Sequence, residues 1–264
     1  MAPEPRPLEL RTADGVALAA EAWPAPGPAA SAVVVVHGFT SHRRDPAVLA
    51  MVDELRAAGH AVVTYDMRGH GESGGLCTLG DAERHDVAAA AAAARSLAPR
   101  IVLVGASLGA VAVLRHAVDD ADLAGVVTVS APARWRLRTP RAALAALLTR
   151  TGAGRRVARR LGARLDTAWR WAEPPDELAG RLALPLAVVH GTGDRFMPSG
   201  EAEILHAAGA AATRTGGGPA TGTGARRRLD VVPGMGHAFC ARGLAAISAA
   251  VGWCLAEPVT DRAA

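Results

Sequence analysis

A serine placed two residues after one glycine and two before another is the first arrangement in this chain that could do covalent chemistry. Gly105-Ala106-Ser107-Leu108-Gly109 follows the apolar run Ile101–Val104 and precedes a helical pattern. A turn of that kind lifts the Ser107 hydroxyl clear of a sheet. It also aims the Leu108 N–H, at a helix N-terminus, toward a developing oxyanion. The flanking residues must be tiny, because a Cβ at either end would collide with neighbouring backbone. A serine hydroxyl is a poor nucleophile until a base takes its proton, and the base needs a carboxylate to orient it. Two later loops supply candidates: Asp194 in Gly191-Thr192-Gly193-Asp194 and His237 in Pro233-Gly234-Met235-Gly236-His237. Asp122 and Asp230 remain alternative orienting acids at this stage. His37, His190 and His70 read as loop-packing histidines, Ser130 as a core or turn residue, and Cys240 as lacking any elbow.

The elements that must position these residues follow from pattern. Residues 8–11 and 16–22 flank Asp14-Gly15 as a hairpin. The continuous apolar run at 32–36 reads as a strand buried on both faces, and 61–65, 101–104, 123–129, 186–190 and 229–232 read as further strands. Helical patterns lie between them at 46–58, 81–97 (with Asp81 as N-cap), after Ser107, at 200–208 and at 244–255. This alternation predicts an α/β fold, with a mostly parallel central sheet and helices on both faces. It stops between 131 and 184. That stretch, with helical segments near 140–150 and 155–164, is expected to be a small helical cap inserted into a single domain spanning 1–264. A Gly/Ala/Thr-rich stretch, 209–226, is expected to be a flexible loop.

Composition narrows the partners. The chain of 264 residues carries +4 and contains no Lys, Asn or Gln, so its basic charge is all Arg. The charge is local: twelve Arg and four acidic residues between Arg134 and Arg181 give +8, and the remainder is −4. High pI here argues for a basic segment, not for nucleic-acid binding. Cys77, Cys240 and Cys254 have neither metal nor redox spacing, and three free thiols suit a reducing cytoplasm. The first ten residues lack the apolar core of a secretory signal. Neither metal-ligand spacing nor a dinucleotide motif is evident, so no cofactor is expected.

The chain resembles the α/β-hydrolase superfamily, in the branch of monoacylglycerol lipase-like, lysophospholipase-like and small bacterial carboxylesterase proteins. The resemblance rests on His37-Gly38-Phe39, on Tyr65-Asp66-Met67-Arg68-Gly69-His70-Gly71-Glu72-Ser73, on the Ser107 elbow, and on the Asp194 and His237 loops. It implies a serine nucleophile at Ser107, a base at His237, an acid at Asp194, and an oxyanion hole made by the Phe39 and Leu108 N–H groups. Trp135, Leu144, Leu148, Trp169 and Trp171 are the candidates for an apolar acyl pocket under the cap. Arg155, Arg156, Arg159, Arg160 and Arg164 form either a solvated helix face or an attractor for an anionic acyl group, a CoA phosphate or a membrane surface. The expected activity is hydrolysis of small or lipid-like carboxylic esters. A thioesterase or acyltransferase is the alternative, followed by a peptidase or a non-catalytic binding module.

Overall fold

The computed structural model describes residues 4–135, 140, 149–168, 170, 172–215 and 226–256. Eight strands form one sheet: β1 (Arg6–Arg11), β2 (Ala17–Trp23), β3 (Ser31–Val36), β4 (Ala61–Tyr65), β5 (Arg100–Ala106), β6 (Gly125–Val129), β7 (Leu186–Gly191) and β8 (Arg227–Val232), in the order β1-β2-β4-β3-β5-β6-β7-β8. The β1–β2 hairpin is antiparallel and joins β4 antiparallel; every other pairing is parallel. Parallel strands need crossovers, and the helices α1 (Pro46–Ala57), α2 (Glu83–Arg95), α3 (Leu108–Ala117), α4 (Gly152–Arg160), α5 (Pro175–Arg181), α6 (Gly200–Thr215) and α7 (Leu244–Leu255) supply them.

Alternation along the strands fills the two faces. Val34, Leu103 and Val188 point to a core shared with α2, α3, α5 and α6. Val33, Val35, Val102 and Val104 point the other way, onto Met51 and Leu55 of α1 and Ile247 and Val251 of α7. With few aromatics available, close approach replaces bulk. Alanines 90, 91 and 94 of α2 are wholly buried. Strand ends align along one sheet edge: Val36 pairs with Gly105, Ala106 with Val129, Val129 with Val189, and Gly191 with Val232. The loops after these carboxyl ends carry Phe39, Ser107, Ser130, Asp194 and His237.

Four details differ from the sequence expectation. Asp81 does not cap α2; it pairs with Arg84 on the surface at 2.7 Å. The helix begins at Glu83, whose buried carboxylate reaches back to Thr78 N (2.7 Å), Thr78 Oγ (2.6 Å) and Gly80 N (2.9 Å). That reciprocal arrangement satisfies more orphan donors than a lone aspartate would. Second, α6 continues to Thr215, so residues 209–215 are helical, not loop. An alanine-rich run outweighs the roughly 1 kcal/mol penalty of Gly209. Residues 216–225 lie outside the described residues. Third, the helix expected near 155–164 is α4, capped by Thr151 Oγ on Gly154 N (2.9 Å) and ended before Gly162, whose φ of +96° turns the chain. Fourth, the residues beyond it run extended: Arg164 N donates to Gly69 O (2.7 Å), Cys77 N to Arg164 O (2.7 Å) and Asp166 N to Cys77 O (2.9 Å). Of the helix expected at 140–150, residues 140, 149 and 150 are helical and 141–148 lie outside the described residues. No helix among the described residues is long and apolar enough to cross a membrane.

Glu83 is fully buried and serves three donors, so truncation strands all of them. Glu83→Ala should lower unfolding free energy by about 3 kcal/mol, measured by urea denaturation at neutral pH.

Candidate active site

The strained element is Ser107 itself, with φ 52° and ψ −113°. Its N–H donates to Val129 O at 2.9 Å, which ties the elbow to the end of β6. Gly105 and Gly109 are required by contact, not by composition. A Cβ on Gly105 would lie 2.4 Å from Gly109 O, and one on Gly109 would lie 2.5 Å from both Val36 O and His37 O. Leu108 opens α3, so its N–H belongs to the orphan donors of a helix N-terminus. Gly38 brings the preceding turn against the elbow: its Cβ position lies 3.4 Å from Ser107 Cβ. Among the described residues neither the Phe39 nor the Leu108 N–H has a hydrogen-bond partner.

The turn holding Phe39 is braced by His37 and the Asp66–Ser73 loop. His37 Nδ1 donates to Gly38 O (2.8 Å), and its Nε2 accepts from Met67 N (3.0 Å). Burial, then the neighbouring His70, push the His37 pKa down to about 3. The ring is therefore neutral, as its bond from Met67 requires. His70 meets the ring of Phe39 edge-on at 5.9 Å and that of His37 at 5.2 Å. Asp66 accepts from the Arg43 N–H (2.7 Å) and the Glu72 N–H (2.9 Å) and pairs with the Arg43 guanidinium. Ser73 Oγ donates to Asp66 O at 2.6 Å. His37 and Asp66 thus act as backbone braces, the histidine in the loop-packing role expected from sequence.

The Asp194 and His237 loops are laced together. A Cβ on Gly191 would overlap Met235 O, and Gly193 N donates to that same oxygen at 3.0 Å. Gly234 N donates to Thr192 Oγ at 2.8 Å. Asp194 is wholly buried in its side chain. Its Oδ1 accepts from Phe196 N (2.8 Å) and Met197 N (2.9 Å), and its Oδ2 from His237 Nδ1 (2.7 Å). Burial alone would raise this carboxyl, but the His237 bond and the Met197 and Phe196 N–H groups outweigh it and hold the pKa below the usual carboxylate value. An ionised carboxylate only accepts, so His237 carries its proton on Nδ1 and presents Nε2 as a lone pair. Phe196 packs on the His237 ring at 5.2 Å. Asp230 is occupied by Arg228 at 2.7 Å, which removes it as the orienting acid. Ser107 Oγ makes no hydrogen bond among the described residues.

A serine on a strained turn, two N–H groups without a partner among the described residues, and a buried carboxylate–imidazole pair match the arrangement a serine hydrolase needs. The family model for serine aminopeptidase, S33, matches residues 27–174, more than half of the chain. The chain belongs to this family. It is a hydrolase with the α/β-hydrolase fold.

Solved structures are similar to this hydrolase over nearly its full length. The esterase Pf2001 of Pyrococcus furiosus is 21% identical with a TM-score of 0.72, covering 96% of this chain and 90% of that one. Est1E from Butyrivibrio proteoclasticus, with bound ferulic acid, is 19% identical at 0.63, covering 92% and 96%. The esterase RhEst1 from Rhodococcus sp. ECU1013 is 19% identical at 0.64, covering 97% and 98%. At these identities the likeness is one of fold. No curated protein sequence matches the chain.

Of the acyl-pocket candidates in this hydrolase, Trp135 is described; Leu144, Leu148, Trp169 and Trp171 lie outside the described residues. The Trp135 indole donates to Ala172 O at 2.5 Å, joining the residues after β6 to those before α5. No cluster of metal-ligating side chains is found among the described residues. Ser130, expected as a core or turn residue, is both buried and left-handed, and its hydroxyl also reaches the residue beside His237, a contact the sequence reading did not assign. Its only sequence signal is a polar residue ending an apolar strand.

The buried neutral His37 makes stability pH-dependent. Between about 6.5 and 3 the unfolded chain binds a proton that the folded chain refuses. Its contribution is full above pH 6.5 and declines as pH falls toward 3. His37→Gln should remove that slope. Between pH 6 and 4.5 the wild type should lose stability about 1 kcal/mol per pH unit more steeply than the variant, measured by urea unfolding at each pH.

Proposed function

We propose that this hydrolase cleaves carboxylic esters of small or lipid-like substrates through an acyl-enzyme on Ser107. The observation that carries the reading is the 2.7 Å bond from His237 to a buried Asp194, with His237 itself one-quarter exposed toward solvent. His237 Nε2 takes the Ser107 proton as the hydroxyl attacks the ester carbonyl. Ser107 and His237 come within hydrogen-bond distance when substrate enters, since such contacts tighten in the Michaelis complex. The tetrahedral oxyanion is held by the Phe39 and Leu108 N–H groups, each contributing about 3 kcal/mol to the barrier reduction. Asp194 stabilises the imidazolium without taking its proton. The imidazolium then protonates the departing alcohol, and water repeats the sequence on the acyl-enzyme. Nothing in this cycle calls for a metal or a cofactor.

Three features bear on substrate. The segment 131–184 acts as a cap, and α4 ends beside the oxyanion turn: a Cβ on Gly162 would lie 3.7 Å from Thr40 O. Phe196 is 46% exposed beside His237 and gives the mouth an apolar flank. Trp135, with Leu144, Leu148, Trp169 and Trp171, would line the acyl site. Ferulic acid bound to Est1E is one example of a small aromatic acid accepted by this fold. Three unpaired cysteines suit the cytoplasm.

A second reading, thioester hydrolysis or acyl transfer from CoA, is favoured by α4. Arg156, Arg159 and Arg160 are exposed there, and α4 contains no acidic residue. The peptidase activity in the family's description is less well supported. Holding a peptide amine takes carboxylates near the site, whereas the segment from Arg134 to Arg181 carries +8, and of its four acidic residues Asp176 is paired with Arg134 and Glu173 with Arg181.

Ser107→Ala should reduce turnover of p-nitrophenyl butyrate by at least about 10³-fold while leaving the thermal midpoint within a few degrees of wild type; retained activity would remove Ser107 as nucleophile. Replacing Arg155, Arg156, Arg159 and Arg160 together with Gln separates the two readings. A CoA-directed cap predicts a severalfold rise in KM for butyryl-CoA with the p-nitrophenyl ester unaffected, whereas an ester hydrolase with a merely solvated helix face shows no change for either.

A further inference from the structure

Ser130 follows β6, is wholly buried, and adopts φ +50°, a left-handed conformation that serine rarely takes. Glycine or asparagine would be the ordinary choice for such a backbone. Its N–H donates to Val189 O at 3.0 Å, fixing it to β7. Its Oγ accepts the N–H of Ala238 at 3.1 Å, across 108 residues of sequence. Ala238 directly follows His237 and is itself left-handed, at φ +59°. One residue earlier, Val129 O accepts the N–H of Ser107 at 2.9 Å. Consecutive residues at the end of β6 therefore hold the backbone of the elbow serine and the backbone beside the histidine.

The histidine loop needs such a hold. On its N-terminal side the loop is tied to the Asp194 loop through Met235 O and Gly234 N, and it reaches His237 through Gly236, whose Cβ direction is open. Asp194 grips the imidazole at one nitrogen, which sets the ring but not the backbone that follows it. The Ser130–Ala238 bond is a fixed point on the other side of His237. The Ser130 hydroxyl is sealed from solvent, so it is no second nucleophile.

We propose that Ser130 is a positioning residue that sets the distance between His237 and Ser107, its hydroxyl serving as the acceptor that registers the histidine loop against the nucleophile elbow. The inference rests on the reading of Ser107 and His237 as nucleophile and base. It deepens that reading by naming the strand end that gauges one against the other. Small displacements of a base from its nucleophile cost up to about a hundredfold in rate.

Two variants test it. Ser130→Gly keeps the left-handed backbone without strain and removes the acceptor. Ser130→Cys is close in shape and leaves sulfur as a weak acceptor. Rates are normalised to active sites titrated with a fluorophosphonate, so a smaller folded fraction does not count as slower chemistry. Ser130→Gly should lower kcat for p-nitrophenyl acetate about ten- to a hundredfold with KM within about twofold, and should slow fluorophosphonate labelling of Ser107 by the same factor. Ser130→Cys should fall between the two. A per-site rate for Ser130→Gly within about twofold of wild type overturns the inference and leaves the esterase reading standing. Should Ser130→Gly fail to fold, a Ser130→Cys protein with the wild-type per-site rate does the same. A wild-type enzyme that the fluorophosphonate does not label overturns both.

Discussion

The left-handed backbone at Ser107 is the constraint on which the rest of the structure depends. A non-glycine residue at φ 52° persists only where its surroundings over-determine it. Here they do so by contact. Gly105 and Gly109 let β5, α3 and the end of β3 approach to distances that no side chain would allow, and Val129 O holds the strained residue's N–H. The parallel sheet is what makes this possible. It delivers the ends of β3, β5 and β6 to adjacent positions along one edge, so neighbouring strands can brace a turn that would relax in isolation.

Around that turn the interior is polar in an ordered way. Arg43 is nearly buried and joins Asp66, Glu72 and Glu21, while Arg68 bridges Asp86 and Asp14. Charges this deep cost several kcal/mol each unless paired, and the pairs gain little net stability over apolar packing. Their use here is specificity. Asp66 fixes the backbone at Arg43 and Glu72, and Arg68 closes the loop onto the β1–β2 turn. The residues 163–166 then pair across the same loop through Gly69 and Cys77. Residues 163–166 are thus stitched to the loop that braces the Phe39 turn, which gives a physical route by which changes there would reach Phe39.

Much of this was legible from sequence. The strand runs, the elbow, and the Asp194 and His237 loops fell where apolar continuity and glycine spacing placed them, because a strand buried on both faces has little choice of residue. The departures have local causes. Asp81 does not cap α2, and the helix start is fixed instead by Glu83, whose carboxylate takes three donors from Thr78 and Gly80 in the preceding loop. The α6 helix overran Gly209 because alanine propensity is cumulative and a single glycine costs little. The helix α4 stopped short because Gly162 could turn left-handed and the following residues found partners on Gly69 and Cys77. None of those partners is near in sequence.

By itself the sequence determined the fold class, the family resemblance and the candidates for nucleophile and base, with more than one carboxylate open as the acid, since these depend on residue type and local spacing. Tertiary structure decided what those residues are to one another. It gave His237 to Asp194 and Asp230 to Arg228, although both carboxylates follow or lie in late strands. Among the described residues it left the Phe39 and Leu108 N–H groups without a partner. It also turned Ser130, which reads from sequence as a core or turn residue, into the acceptor beside His237. The physical reason is distance along the chain. Hydrogen bonds that span 43 or 108 residues are set by strand order and register, which no local pattern encodes.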